Sequence, residues 1–548
     1  MTMSLAAERS LRAENRLVIA HVYAGTVAFV LGALFGLLQA FSRADAISAP
    51  PWFDYYRILT THGVLMALVF TTFFITGLST FVTYRSIPRE RSLALGWIGW
   101  VVMLVGTLMA AYEILAGNAT VLYTFYAPLK ASPWFYIGAA LLVVGTWVVA
   151  TDIFANVIWW RRNHRGEKLP LPAFCAATTF LMWWIATLGV ATEVLVFLVP
   201  WSFGWTSGIN VMLSRLLFWY FGHPLVYFWI MGAYIAWYNI VPTYYKGKLF
   251  SDSLTRLTFI MLLLLSTPVG IHHQFMEPGI ADRWKMLHTV LTYGVAVPSF
   301  LTAFAIFASF ELKARTLGKF GFWATARSLP WDNPAFAATG YAMLLFILGG
   351  FGGLVNASYN MDMLVHNTIW IVGHFHVTVG GPAALTFLGT AYWMIPKLTG
   401  RELWSKSWAL WQARLWFVGM LVMSMAMHLV GLLGEPRRTA SVDYLGTGIA
   451  QTWAPYNLMA AAGGTILFVS AMMFAVVAIG TLVANRKTQP MDAEFSEPSE
   501  ISGPTPRSLD TIWRWGVVAL VLALLAYAGP LAELIHNPGY LAPGMRTW

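Results

Sequence analysis

Apolar residues run along this chain in long blocks separated by short polar connections. Thirteen blocks can be read in order: about 17–40, 57–84, 92–115, 134–160, 171–199, 211–243, 255–273, 286–310, 335–355, 367–397, 407–433, 455–484 and 512–536. A hydrocarbon core about 30 Å thick needs roughly 20 helical residues to cross, and each block supplies close to that or more. The pattern predicts an all-α polytopic membrane protein with about thirteen transmembrane helices, residues 1–548 forming one domain. The connections differ in charge. With a cytoplasmic N-terminus, 25 of the 34 Lys and Arg fall at the inner connections, which predicts N-terminus inside and C-terminus outside. The stretch 485–511, rich in Pro, Ser and Glu from Asn485 to Arg507, reads as a cytoplasmic loop before the last helix. Met1 to Arg16 is polar and leads into a full-length span without a small-residue cleavage site, so a retained first helix is expected rather than a removed signal peptide. No repeat of fixed period is visible.

Composition agrees. Of 548 residues, 58% are hydrophobic and 11% charged, whereas a soluble domain carries roughly a quarter charged residues. The formal charge of +10 follows from the inner-side bias and calls for no nucleic-acid partner. A single cysteine, Cys175, excludes an intrachain disulfide framework, a four-cysteine zinc site and a cysteine-ligated dicopper centre within this chain. Any metal here must rely on histidine.

Six of the twelve histidines fall inside the apolar blocks, in clusters: His62, His223, His272, His273, His374 and His376. With the orientation above, all six lie toward the outer side at a similar depth. A lone helical histidine is ordinarily a packed, hydrogen-bonded residue, but six at one level in lipid-facing sequence are hard to explain that way, and neutral imidazole suits copper and iron. In Gly373-His374-Phe375-His376 the two imidazoles are two residues apart, so on an α-helix they point about 200° from each other, one to each flank. One helix would then serve two metal centres.

Two further patterns add chemistry. In Gly222-His223-Pro224-Leu225-Val226-Tyr227 the histidine and tyrosine are four apart and share a face, which Tyr234 and Tyr238 extend toward the cytoplasm. Tyrosines alone would read as a packing or interfacial stripe. Beside a histidine ligand, a phenol can deliver a proton and lose an electron. In Ser266-Thr267-Pro268-Val269-Gly270-Ile271-His272-His273, Pro and Gly loosen the helix end, so adjacent imidazoles could turn toward one ion and join His223 in a three-histidine site with an open position.

Taken together, Thr61-His62-Gly63, Gly222-His223-Pro224 with Tyr227, His272-His273 and Gly373-His374-Phe375-His376 make the chain resemble subunit I of a haem–copper oxygen reductase. Within that superfamily it is similar to the B-family cytochrome c oxidases, which pair a b-type with an a-type haem. The resemblance implies that His62 and His376 are axial ligands of a low-spin, b-type haem and that His374 is the ligand of a high-spin, a-type haem. His223, His272 and His273 would hold one copper ion, with His223 joined covalently to Tyr227. It further implies reduction of dioxygen to water, with Tyr227 giving an electron and a proton. The electrons would come from cytochrome c or a similar small carrier through a subunit II with a dicopper centre. Proton uptake from the cytoplasm would be coupled to proton translocation across a bacterial or archaeal inner membrane.

Tyr227, Tyr234 and Tyr238, with Ser299 and Thr302 three apart on the eighth span, resemble the family's cytoplasmic proton conduit. Ala305 stands at the next position, commonly hydroxylic in this branch, leaving water or another side chain, Thr292 higher up or Ser309 lower down, to fill in; the bland reading of these serines and threonines is hydroxyls bonded back to their own helix. Leu225 replaces the glutamate of the mitochondrial-like branch, so the glutamate-gated second route is expected to be absent. Glu193 is an odd intramembrane carboxyl, read equally as a proton-loading or exit group and as a structural residue. Arg437 and Arg438 fit the propionates of the haems, with Asp362 and His366 as proton-accepting partners or a solvated pair, and Trp219 and Tyr123 as pocket-lining or packing residues. Rival readings are a nitric oxide reductase, disfavoured by Tyr227 and by the lack of a carboxylate in the ligand segments, a quinol-fed oxidase, a passive haem-bearing electron-transfer subunit, and a secondary transporter, which leaves six histidines unexplained.

Overall fold

The computed structural model describes residues 5–50, 52–89, 91–483 and 492–547, so the start of the 485–511 loop lies outside the described residues. Its long helices follow the apolar blocks in order. They are α1 (Arg9–Arg43), α2 (Tyr55–Ser86), α3 (Ala94–Leu115), α4 (Pro133–Asn163), α5 (Leu171–Phe203), α6 (Val211–Tyr244), α8 (Asp282–Thr316), α9 (Pro334–Ala357), α10 (Ile369–Thr399), α11 (Lys406–Leu432), α12 (Gly448–Val483) and α13 (Ile512–Ile535). These twelve are each long and apolar enough to cross a membrane. Between α6 and α8 lies α7 (Asp252–Leu265), which is shorter.

The expectation of a helix through 255–273 is therefore corrected. The helix ends at Leu265, and after a turn the chain winds as a 3₁₀ helix over Gly270–Gln274. Pro268 cannot donate to a helical ladder and disfavours the helical conformation of the residue before it, so the helix cannot continue through this point.

Helix starts obey side-chain capping. Asp54 accepts hydrogen bonds from the Tyr56 and Arg57 N–H groups ahead of α2, and Asn210 accepts from Leu213 N–H ahead of α6. Three helices widen into π-turns at polar points: α2 over Val64–Phe70, directly after His62-Gly63, α5 over Glu193–Leu198 and α10 over His376–Gly380. A π-turn inserts one residue and re-aims the faces on either side of it, a change that an apolar pattern does not disclose.

α6 is buried along most of its length and α2 nearly so, whereas α3, α8, α9 and α13 keep apolar outer faces exposed. Exposed Leu and Val on these outer faces suit lipid contact. The C-terminal tail stitches the connections together: Leu541–Ala542 pairs antiparallel with Ile209–Asn210, and Met545–Arg546 pairs parallel with Leu129–Lys130.

Candidate metal and cofactor site

One internal cavity of about 590 Å³ is lined by all six clustered histidines, so helices far apart in sequence meet around a single space. His62 and His376 face each other across it, their rings parallel within 6° and their centroids 6.3 Å apart. Each holds its Nδ1 against a backbone carbonyl at 2.8 Å, of Gly32 for His62 and of Val372 for His376. A carbonyl only accepts, so both rings carry the proton on Nδ1 and keep the Nε2 lone pair. Two metal–nitrogen bonds of about 2.0 Å and two ring radii of roughly 1.2 Å span about that separation, so the pair fits one iron held from both sides.

His374 turns the other way. Its Nδ1 lies 3.1 Å from the Thr378 hydroxyl, and a Cβ on Gly352 of α9 would sit only 2.6 Å from that nitrogen. Two flanks of α10 thus present their imidazoles to different neighbours, His376 toward α2 and His374 toward α9.

The third group is His223, His272 and His273, with one candidate ligand nitrogen from each lying within 4.8 Å of the others. His223 Nδ1 is 3.0 Å from His273 Nε2, and the His273 ring stacks on Trp219 at 3.9 Å and 10°. The break after α7 makes this possible, because adjacent residues on a continuous α-helix diverge by about 100°. Among the described residues the buried His223 Nε2 has no hydrogen-bond partner, and the Tyr227 ring centroid is 5.0 Å from that of His223. No carboxylate belongs to the cluster among the described residues. Three neutral imidazoles suit copper, and an open position beside them suits a small substrate.

At one end of the cavity, His366 Nδ1 bonds Asp362 Oδ2 at 2.6 Å. Burial pushes the Asp362 carboxyl above its ordinary value, opposed by His366 and Arg437. Arg437 and Arg438 line the same end, and neither has a carboxylate within ion-pair distance among the described residues. Burial and the adjoining Arg438 pull Arg437 down to about 10, which still leaves it charged at neutral pH. Two half-buried guanidiniums bordering a cavity ask for an anion, and carboxylates of a cofactor match their donors.

Below the cavity the Tyr238 hydroxyl donates to Thr302 Oγ1 at 3.0 Å, and the Tyr234 hydroxyl sits beside Ser299 and Thr302. Both side chains suggested for the gap at Ala305 are already hydrogen-bonded. Ser309 donates to the Ala305 carbonyl and accepts from Phe250 N–H, while Thr292 donates to the His288 carbonyl and meets His272 Nδ1 at 3.0 Å. Tyr123 and Trp219 both line the cavity, as does Leu225 at the expected glutamate position. Glu193 does not. It is fully buried, accepts from Ser214 at 2.7 Å through Oε1, and among the described residues leaves Oε2 without a partner. Sequence reading passed over Thr378, although its place four residues after His374 puts both on one helix face.

Comparison with known proteins points the same way. The family model described as cytochrome c and quinol oxidase polypeptide I matches residues 16–466. Cytochrome c oxidase subunit 1 of Thermus thermophilus is 40% identical over 98% of this chain and 97% of its own length. The subunit 1 of Thermostichus vulcanus is 26% identical over 82% of this chain and 80% of its own. Among solved structures, a cryo-EM structure of a haem–copper terminal oxidase dimer superposes with a TM-score of 0.90 at 37% identity, covering 95% of this chain and 92% of that one.

Proposed function

We infer, for a chain that belongs to the cytochrome c and quinol oxidase polypeptide I family and is the catalytic subunit of a haem–copper terminal oxidase, how its histidines divide the work. His62 and His376 hold a low-spin, b-type haem, His374 holds a high-spin, a-type haem, and His223, His272 and His273 hold one copper ion. When bound, these groups supply the electrons and the open coordination positions at which dioxygen becomes water.

The chain's own residues supply orientation and protons. The Gly32 and Val372 carbonyls fix the tautomers of His62 and His376, and the Thr378 hydroxyl orients His374. Arg437 and Arg438 pair with the haem propionates, with the Asp362–His366 pair beside them as proton acceptor. Tyr227 lines the cavity next to His223, and a covalent link between His223 Nε2 and a Tyr227 ring carbon would remove one hydrogen from each, a two-electron oxidation for which the dioxygen that the oxidase reduces is the acceptor. That placement lets the Tyr227 phenol give up a proton and an electron at the reacting centre. Tyr238, Thr302, Ser299 and Tyr234 carry protons toward it from the cytoplasm, and turnover is coupled to proton translocation. Glu193 keeps its two readings, proton-loading or exit group and structural residue.

Electrons enter from cytochrome c or a similar carrier through a partner subunit II with a dicopper centre, since this chain, with one buried cysteine, has no such site. The N-terminus faces the cytoplasm of a bacterial or archaeal cell, and the subunit sits in its inner membrane.

The observation that carries the reading is one cavity shared by a parallel histidine pair, a single histidine on the opposite flank of the same helix and a convergent histidine triad. A reduced-minus-oxidised spectrum and metal analysis of the purified oxidase test it, with two haems and one copper expected. His376→Ala should abolish the low-spin band and spare the high-spin one. A copper-free protein retaining both haems, or loss of the high-spin band alone, would overturn the assignment. Activity with a quinol and none with a reduced cytochrome would replace the donor.

A further inference from the structure

His288 is fully buried on α8, and it is not one of the six histidines assigned above. Its hydrogen bonds fix its form. Ile271 N–H donates to His288 Nδ1 at 3.3 Å, and His288 Nε2 donates to the Ala526 carbonyl of α13 at 3.3 Å. A ring that accepts at Nδ1 and donates at Nε2 is neutral with its proton on Nε2. The next residue on α13, Tyr527, accepts from Gly270 N–H at 2.9 Å, and its ring meets His288 edge-on at 5.1 Å.

These contacts answer a need set by the break after α7. A 3₁₀ segment buried in an apolar bundle exposes peptide N–H groups that no helical ladder serves, and each left unsatisfied destabilises the fold. Two consecutive ones, Gly270 and Ile271, are served by two other helices. The fit is tight: a Cβ on Gly270 would lie 2.1 Å from the Trp219 carbonyl oxygen and 2.3 Å from the Tyr527 hydroxyl oxygen.

The same histidine acts on His272 through its backbone. The single hydroxyl proton of Thr292 goes to the His288 carbonyl at 2.5 Å, so at 3.0 Å Thr292 Oγ1 is left to accept from His272 Nδ1–H. His272 then carries its proton on Nδ1 and offers Nε2.

We propose that His288 is a positioning residue which, with Tyr527 of the last helix, locks the Gly270–Gln274 segment so that His272 presents Nε2 to the copper. The proposal rests on the copper assignment of the previous subsection. The His288 side chain touches neither copper nor substrate; it acts on the backbone of the residues that do, while the main-chain carbonyl at 288, which any variant keeps, sets the His272 tautomer through Thr292.

Three variants of the purified oxidase test it: His288→Phe, which fills the space without hydrogen bonds, His288→Asn, whose amide can accept from Ile271 N–H, and Tyr527→Phe. In His288→Phe, copper affinity falls on the order of tenfold or more while both haem bands stay unchanged. His288→Asn recovers most of the copper. Hydrogen–deuterium exchange on copper-depleted protein gives a readout independent of activity: peptides spanning 269–274 exchange faster in His288→Phe and Tyr527→Phe than in wild type, while those from α3 do not change. Wild-type copper content and unchanged exchange in His288→Phe would overturn the proposal and leave the copper assignment standing. Equal copper loss in Phe and Asn variants with faster exchange throughout would also overturn it, by showing general destabilisation. Wild-type protein that binds no copper would instead sink the assignment on which it rests.

Discussion

His62 and His374 each pack against a glycine whose missing side chain makes the room they use. A Cβ on Gly36 would sit 2.8 Å from His62 Nδ1 and Cε1, and one on Gly352 would sit 2.6 Å from His374 Nδ1. The imidazoles differ in assignment, so the two substitutions should separate them. Gly36→Ala is expected to broaden or diminish the low-spin band with the high-spin band intact, and Gly352→Ala to do the reverse, both read in the visible spectrum. A common loss in either variant would contradict separate flanks. Asp362 offers a pH test. Its carboxyl is raised by burial, so the folded protein holds that proton more tightly than the unfolded chain does. Stability from this group is therefore present below the ordinary aspartate pKa of about 3.9 and is lost as pH rises through the higher folded value. Asp362→Asn should flatten that part of the melting-temperature profile; an unchanged profile would show that the carboxyl titrates normally. Most of these site residues were legible, because histidines in apolar sequence and a paired Arg437-Arg438 between two spans are conspicuous. The glycines and Thr378 were not, since a small residue signals nothing until its neighbour across the cavity is known.

Helix order was legible, helix ends only to within about two turns, and helix shape was not. Hydropathy reports a length of apolar chain: twelve blocks became helices long enough to cross a membrane, and the seventh became a shorter one that stops at Leu265. It does not distinguish α from π winding, so the turns at Val64, Glu193 and His376 went unseen, as did the end of α7 at Leu265. Close helix approach was equally hidden. α3 and α4 meet through Gly99 and Gly106 on one side and Gly145 and Gly138 on the other; a Cβ on Gly106 would lie 2.5 Å from the Gly138 carbonyl oxygen, and one on Gly138 would lie 2.7 Å from that of Gly106. Small residues let backbones touch where lipid leaves little hydrophobic drive between helices. Gly106→Leu should thus destabilise the purified protein by roughly 1–3 kcal/mol, seen as a lower melting temperature in detergent with both haem bands retained. A melting temperature equal to wild type would show that this contact contributes little.

For the whole molecule, the charge bias makes a prediction about sidedness. Arg486 and Lys487 lie in the 485–511 loop, so trypsin should cut there in inverted vesicles and leave right-side-out vesicles intact at that point; the opposite pattern would reverse the orientation. What the sequence determined by itself is what composition and local spacing govern: a bundle of membrane-crossing helices, histidine rather than cysteine as the side chain available to a metal, and a tenth helix with imidazoles on two flanks. These follow from single-helix geometry and from the penalty on polar groups in hydrocarbon. Only the tertiary structure decided which histidines meet. The 6.3 Å gap of His62 and His376, the convergence of His223 with His272 and His273, and the reach of α13 to the segment after α7 join residues up to several hundred positions apart. Packing sets those distances, through glycine contacts and backbone hydrogen bonds between helices, and no local pattern along one helix records what stands opposite it.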